Sequence, residues 1–104
     1  YRSATSTIAL SYGTVALPLG TKMSFQTGTN ASFGTVQLGS NGSVNVATTV
    51  VTPNSVVFIT TQADGGTIGT ERVTGVRSGS GFTIESSNIL DTSIVAWWVV
   101  EPRP

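Results

Sequence analysis

Ile94-Val95-Ala96-Trp97-Trp98-Val99-Val100 decides the fold: seven consecutive residues, all apolar. Successive side chains of a strand go to opposite faces, so this run needs apolar cover on both. Ser87-Asn88-Ile89-Leu90-Asp91-Thr92-Ser93 precedes it and Glu101-Pro102-Arg103-Pro104 follows it. These are turn formers and prolines, and a proline cannot donate to a sheet ladder. The run is therefore a short strand, and a chain of 104 residues must cover it from one domain or borrow cover from a neighbour.

Outward from that strand, short β-like runs recur between turn signals, and nowhere do apolar residues repeat at helical spacing over three turns. The expected strands are Thr7 to Leu10, Thr14 to Leu17, Lys22 to Gln26, Thr35 to Leu38, Ser43 to Val51, Ser55 to Thr61, Thr70 to Arg77, Gly81 to Glu85 and Ile94 to Glu101. Around Asn41-Gly42 a hairpin is expected. A five-residue loop from Gly39 to Ser43 would pair Leu38 with Val44 and Val36 with Val46, keeping the apolar residues on one face, where a two-residue turn would not. Val56-Val57-Phe58-Ile59 is the second apolar run, and it shares with the Trp97-Trp98 strand the expectation of a central place. Gln62 to Gly69, with three glycines, and Ser78-Gly79-Ser80-Gly81 form turns. The pattern predicts an all-β fold, an antiparallel β-sandwich of jelly-roll-like kind, over residues 31–104. Residues 1–30 form either edge strands or an extended arm that docks on a neighbouring subunit.

Composition narrows the function. Charged residues make up 10% of the chain and the net charge is zero, so copies repel one another weakly. Ser and Thr supply about three residues in ten and Gly another twelve, a mix that favours strands and tight turns over helices. The five basic residues, Arg2, Lys22, Arg72, Arg77 and Arg103, are scattered, which gives no stripe for nucleic acid. The longest apolar run is far short of the roughly 20 residues that cross a bilayer as a helix, and the N-terminus has no signal-peptide pattern. The chain opens at Tyr1 without a Met, as a fragment or a processed product would.

Little in the sequence points to chemistry. Without His or Cys, the commonest general base and the most nucleophilic side chain are missing, and any acid–base role falls to Asp64, Glu71, Glu85, Asp91 and Glu101. The plainer expectation is that these acids solvate loops and strand ends. Asp64-Gly65-Gly66 lacks the ligand spacing of a calcium loop and the Lys of a phosphate loop, so it is a turn, with no metal or cofactor expected. Asn30-Ala31-Ser32 and Asn41-Gly42-Ser43 match the glycosylation triplet, but turn chemistry explains both. Adjacent Trp97 and Trp98 must face opposite ways, so they cannot form one flat sugar platform. One should fill the core and the other pack under a loop or against another subunit. Trp97, Trp98, Val99, Phe58 and Val95 are accordingly the expected core or oligomer interface. For a carbohydrate-binding or host-receptor module, the contacts would be one of the Trp residues, Tyr12, Phe82, or the loop holding Asp64, Gly65 and Gly66.

Several stretches together resemble a domain at the C-terminal end of many tailed-bacteriophage virion proteins, among them head fibres, capsid decoration proteins and tail-associated fibres. The carriers are Gly34-Thr35-Val36-Gln37-Leu38, Ser43 to Ser55, Phe58-Ile59-Thr60-Thr61-Gln62, Gly65 to Gly69, Gly81-Phe82-Thr83-Ile84 and, most specifically, Asp91 to Pro102. The resemblance spans about residues 31–102. It implies a non-enzymatic head-fibre or capsid decoration protein, a homotrimer bound to the major capsid protein or another virion protein, with a host surface glycan as a further partner. It carries no catalytic residues to transfer, and relatives place the domain behind a long N-terminal region that is short or absent here.

Overall fold

The computed structural model of the protein describes residues 13–102. Six strands form two three-stranded antiparallel sheets: β1 (Phe33–Gln37), β2 (Ser43–Ala47), β3 (Val56–Ala63), β4 (Glu71–Arg77), β5 (Gly81–Ser86) and β6 (Ile94–Val100). One sheet has the order β1-β6-β3 and the other β2-β5-β4. The expected all-β antiparallel sandwich is present, with six described strands where a full jelly roll has eight. Among the described strands only β4 and β5 are both consecutive and hydrogen-bonded, through the Ser78-Gly79-Ser80 turn.

The core lies between the sheets. Val95 and Trp97 come down from β6, Phe82 and Ile84 come up from β5, and Leu38, Val46, Val51 and Val99 close the sides. Trp97 meets Phe82 edge-on, with ring centroids 5.5 Å apart and planes at 75°, the quadrupole-favoured arrangement for two rings. Gly34 stands opposite Trp97 in the register of β1 on β6, and a Cβ there would lie 3.0 Å from the indole ring. The missing side chain is what lets the indole lie flat across β1.

The hairpin expected at Asn41-Gly42 does not form. β1 pairs with β6 and β2 with β5, so Leu38 and Val44 are not partners, nor are Val36 and Val46. The five-residue loop is there, closed by Gly39 N–H donating to Ser43 O at 3.0 Å, with a single 3-10 turn at Ser40–Gly42. It carries the chain across the core from one sheet to the other. Leu38 and Val46 are both buried this way, one from each sheet, which satisfies the same hydrophobic pattern as a hairpin. Asn41 and Gly42 take positive φ of 64° and 65°, and Asn30 takes 67°, so both Asn-X-Ser triplets sit at left-handed turn positions as turn chemistry expects.

Two further expectations are corrected. β6 is central as expected, but β3 is an edge strand, and the centre of the second sheet is β5. Apolarity of a run specifies that its faces are covered; it does not specify that both hydrogen-bonding edges are paired. Thr14 to Leu17 and Lys22 to Gln26 form no strand: residues 13–30 are exposed throughout, and they meet the sheets through a parallel bridge from Thr27 to Phe33, an Asn30 N–H donating to Ala47 O at 3.2 Å and the Phe25 ring. The strand expected over Thr7 to Leu10 lies outside the described residues. β2 ends at Ala47, because Thr48 turns inward and donates its hydroxyl to Ala31 O at 2.6 Å.

Candidate functional site

The two outer faces of the sandwich differ in chemistry. Across β2-β5-β4, the Thr83 hydroxyl donates to Asn45 Oδ1 at 2.7 Å, Arg77 donates to Thr83 at 3.2 Å, and Arg72 pairs with Glu85 at 3.4 Å. This is an ordinary solvated face. Across β1-β6-β3, the register places Phe33, Trp98 and Phe58 side by side in one row, and Thr35, Ala96 and Thr60 in the next. Phe25, arriving from the N-terminal segment, stacks within 5.8 Å of both Phe33 and Trp98, and Phe58 lies 6.1 Å from Trp98. Four aromatic rings thus cluster on a surface with no charged side chain from its three strands.

The two Trp residues of β6 occupy different environments. Trp97 is 4% exposed in the core, while Trp98 is 39% exposed on this outer face. Val95 and Val99 accompany Trp97 inside, and Phe58 accompanies Trp98 outside at 55% exposure. The cover that the apolar run demands is therefore complete on the inner face and partial on the outer one, where Ala96 is buried among its neighbours while Ile94 and Trp98 remain open to solvent among the described residues. Between the aromatic row and Ala96 lies a hollow of about 190 Å³ lined by Phe33, Phe58, Ile59, Thr60, Ala96 and Trp98. It exists because Ala96 is small between larger neighbours. A second recess, about 500 Å³, opens where the unpaired edges of β1 and β2 diverge, with Thr27, Thr29, Thr35 and Asn45 among its walls.

Among the other residues expected to contact ligand, Phe82 is fully buried beneath Trp97 and presents nothing to solvent. Tyr12 lies outside the described residues. The Asp64-Gly65-Gly66 loop is sewn to the segment before β6: Gly65 N–H donates to Ser93 Oγ at 3.2 Å, Thr92 N–H donates to Gly65 O at 3.0 Å, and Thr67 N–H donates to Leu90 O at 3.1 Å. The Asp64 side chain stays exposed.

Asp91 overturns the expectation that the acids solvate loops and strand ends, because it is fully buried. Its Oδ1 accepts from Ser93 N–H at 3.0 Å and the Ser93 hydroxyl at 2.6 Å, and its Oδ2 accepts from Gly69 N–H at 3.0 Å and the Ser86 hydroxyl at 2.7 Å. Burial pushes this carboxyl up, but the two hydroxyls and two backbone N–H groups outweigh it and hold the group well below the usual carboxylate range. With four donors engaged, Asp91 pins the 64–69 loop, β5 and the start of β6 together. Its signal in the sequence is Asp91-Thr92-Ser93, an acid two residues before a hydroxyl at a strand entrance, the spacing of a side chain that caps its own turn.

Glu71, at the start of β4, accepts from the Thr61 hydroxyl of β3 and so ties the two sheets together at one end. Its other oxygen, Oε2, is buried without a partner. The Thr61 bond pulls the Glu71 carboxyl down, but burial and the negative charges of Asp91 and Asp64 outweigh it, leaving the group above its usual range. At the far end of the sheet, Glu101 accepts from the hydroxyls of Thr52 and Ser55 at 2.6 and 2.7 Å, which holds it below its usual range.

Fold and face define a small β-sandwich module with an aromatic outer face. Residues 30–100 match the family described as K1 capsule-specific polysaccharide lyase, C-terminal domain, and the chain belongs to that family. No curated protein and no solved structure matches the chain. The match covers nearly the residues that carry the resemblance drawn from the sequence, and it supports that resemblance at the level of a C-terminal domain.

Proposed function

We propose that this domain is a non-enzymatic structural module of a tailed-phage virion, working as a homotrimer through contacts between copies of itself and with other virion proteins. The observation that carries the reading is the aromatic row Phe33-Trp98-Phe58, exposed on one face of a sandwich whose other face is polar. Contiguous apolar surface rimmed by polar residues marks a contact site, and large aromatics dominate interface energetics. The name of the family attaches the domain to a lyase specific for a bacterial capsule, which supports a place on a fibre that meets the host surface. A head fibre or a capsid decoration protein seated on the major capsid protein is the form implied by the sequence resemblance. Both put the domain on the outside of the particle.

A second reading has its own support: Trp98, half-exposed beside Thr35 and Thr60, offers a ring face next to hydroxyls, the makings of a sugar contact on a host surface glycan. Incubating the purified chain with capsular polysaccharide tests both readings together. A structural module leaves the polysaccharide's chain length unchanged by size-exclusion chromatography and does not co-elute with it. Shortened polysaccharide would overturn the non-enzymatic reading, and co-elution abolished by Trp98→Ser would establish the glycan contact.

A further inference from the structure

The arm that enters the sandwich carries an apolar projection that none of the described residues receives. Pro18, Leu19, Gly20 and Thr21 form a β-turn closed by Thr21 N–H donating to Pro18 O at 3.0 Å. Gly20 takes φ of 84° at the third position, the place where a type II turn requires a positive value. Leu19 is thereby held at the apex and is fully exposed. Val15 and Leu17, at alternate positions before it, are also exposed, and residues 13–21 carry no charge.

On the same molecule is a hollow that none of the described residues fills. The space above Ala96 is walled by rings and aliphatic carbon, and the side chains around it carry only the Thr60 hydroxyl and the indole N–H groups of Trp97 and Trp98 as polar groups. Such a wall suits an aliphatic side chain better than a sugar, whose hydroxyls would need several partners there. The arm leaves its own sheet at the rim of this hollow, where Phe25 packs on Phe33 and Trp98. Leu19 nevertheless faces solvent in its own copy.

We propose that Leu19 is a knob that fills the hollow above Ala96 on a neighbouring copy of this chain. This rests on the self-association reading given above and specifies its contact. One knob and one hollow per copy, on different surfaces, make a head-to-tail contact, and such contacts close into a ring when the rotation between copies allows it. A trimer is one such ring. The uncharged arm meets an uncharged strand face, so no like-charge pair opposes the docking.

The chain has no Cys, which allows a direct test. Full-length chains carrying Leu19→Cys and Thr60→Cys, one substitution per chain, are co-expressed and oxidised. Non-reducing electrophoresis should show a disulfide-linked heterodimer, absent when Thr60→Cys is replaced by Thr49→Cys in an exposed turn remote from the hollow. Leu19→Ser should weaken assembly at least tenfold, measured by light scattering, with no change in the melting temperature of the dissociated chain. A trimer by light scattering that gives no Leu19–Thr60 cross-link would overturn the knob and leave the self-association reading standing; a chain that stays monomeric would overturn both. Protection of Trp98 fluorescence by capsular oligosaccharide, without cross-linking, would overturn the knob by assigning the hollow to a sugar.

Discussion

Trp97 and Trp98, neighbours in β6, belong to different environments: the first meets Phe82 edge-on at 5.5 Å in the core, and the second lies 6.1 Å from Phe58 on a half-open surface. The alternation of the strand turns one apolar dipeptide into a core anchor and a half-exposed outer ring. Their substitutions should therefore separate. Trp97→Ala removes a buried ring and should cost about 3–5 kcal/mol of folding stability, measured by denaturant unfolding. Trp98→Ala should cost the dissociated chain only about 0.5–1.5 kcal/mol, the worth of its aromatic contacts, while reducing assembly.

Gly34→Ala probes the support beneath that anchor. Its new methyl group would stand 3.0 to 3.3 Å from three atoms of the Trp97 indole. The ring is held from the other side by Phe82. Overpacking of this kind should cost about 1–3 kcal/mol, seen as a lower unfolding midpoint with an unchanged denaturant slope.

Asp91→Ala orphans four donors in a buried place and should destabilise the fold by about 3 kcal/mol, with the 64–69 loop losing hydrogen-exchange protection first. Because folding depresses the Asp91 carboxyl, the stability it contributes is complete above its ordinary value of 3.8 and is lost as pH falls through the lower folded value. Acid unfolding of the wild type should therefore be steeper than that of Asp91→Ala.

Glu71 contributes with the opposite sign. Its carboxyl is raised on folding, so its contribution is complete below the ordinary value of 4.5 and is lost as pH rises through the higher folded value. Taken by themselves the two acids should place maximum stability between their ordinary values of 3.8 and 4.5. Glu71→Gln keeps an acceptor for Thr61 and removes the charge beside Asp91, so it should raise the melting temperature at pH 7 and flatten the profile above pH 4.5. An unchanged profile would mean that Glu71 is not held against Asp91 in solution.

What the sequence makes legible here is faces, and what it leaves hidden is edges. The alternation rule separates Trp97 from Trp98 and puts Val95 and Val99 on the face of Trp97, all from seven letters, without saying which face is the inner one. It cannot tell whether Leu38 and Val46 bury themselves as partners in one sheet or as opposites in two, since both arrangements satisfy the same pattern. The hairpin expected at Asn41-Gly42 and the central place expected for β3 both fail on that ambiguity. Asp91 was hidden for a different reason: a buried carboxylate is stable only when its donors converge, and Gly69, Ser86 and Ser93 come together through the tertiary fold alone. The aromatic cluster was half visible, because Phe58 and Trp98 sit in apolar runs while Phe25 and Phe33 stand among polar residues.

In the proposed assembly another copy of the chain covers the outer face of the β1-β6-β3 sheet. Light scattering over a concentration series, comparing the wild type with the double variant Phe58→Ser/Trp98→Ser, measures this most directly. The wild type should hold at three times the chain mass of 10.7 kDa across the series. The variant should remain folded by circular dichroism and fall to the mass of a single chain. A wild type that stays at the single-chain mass at every concentration, or a double variant that assembles as the wild type does, would contradict it.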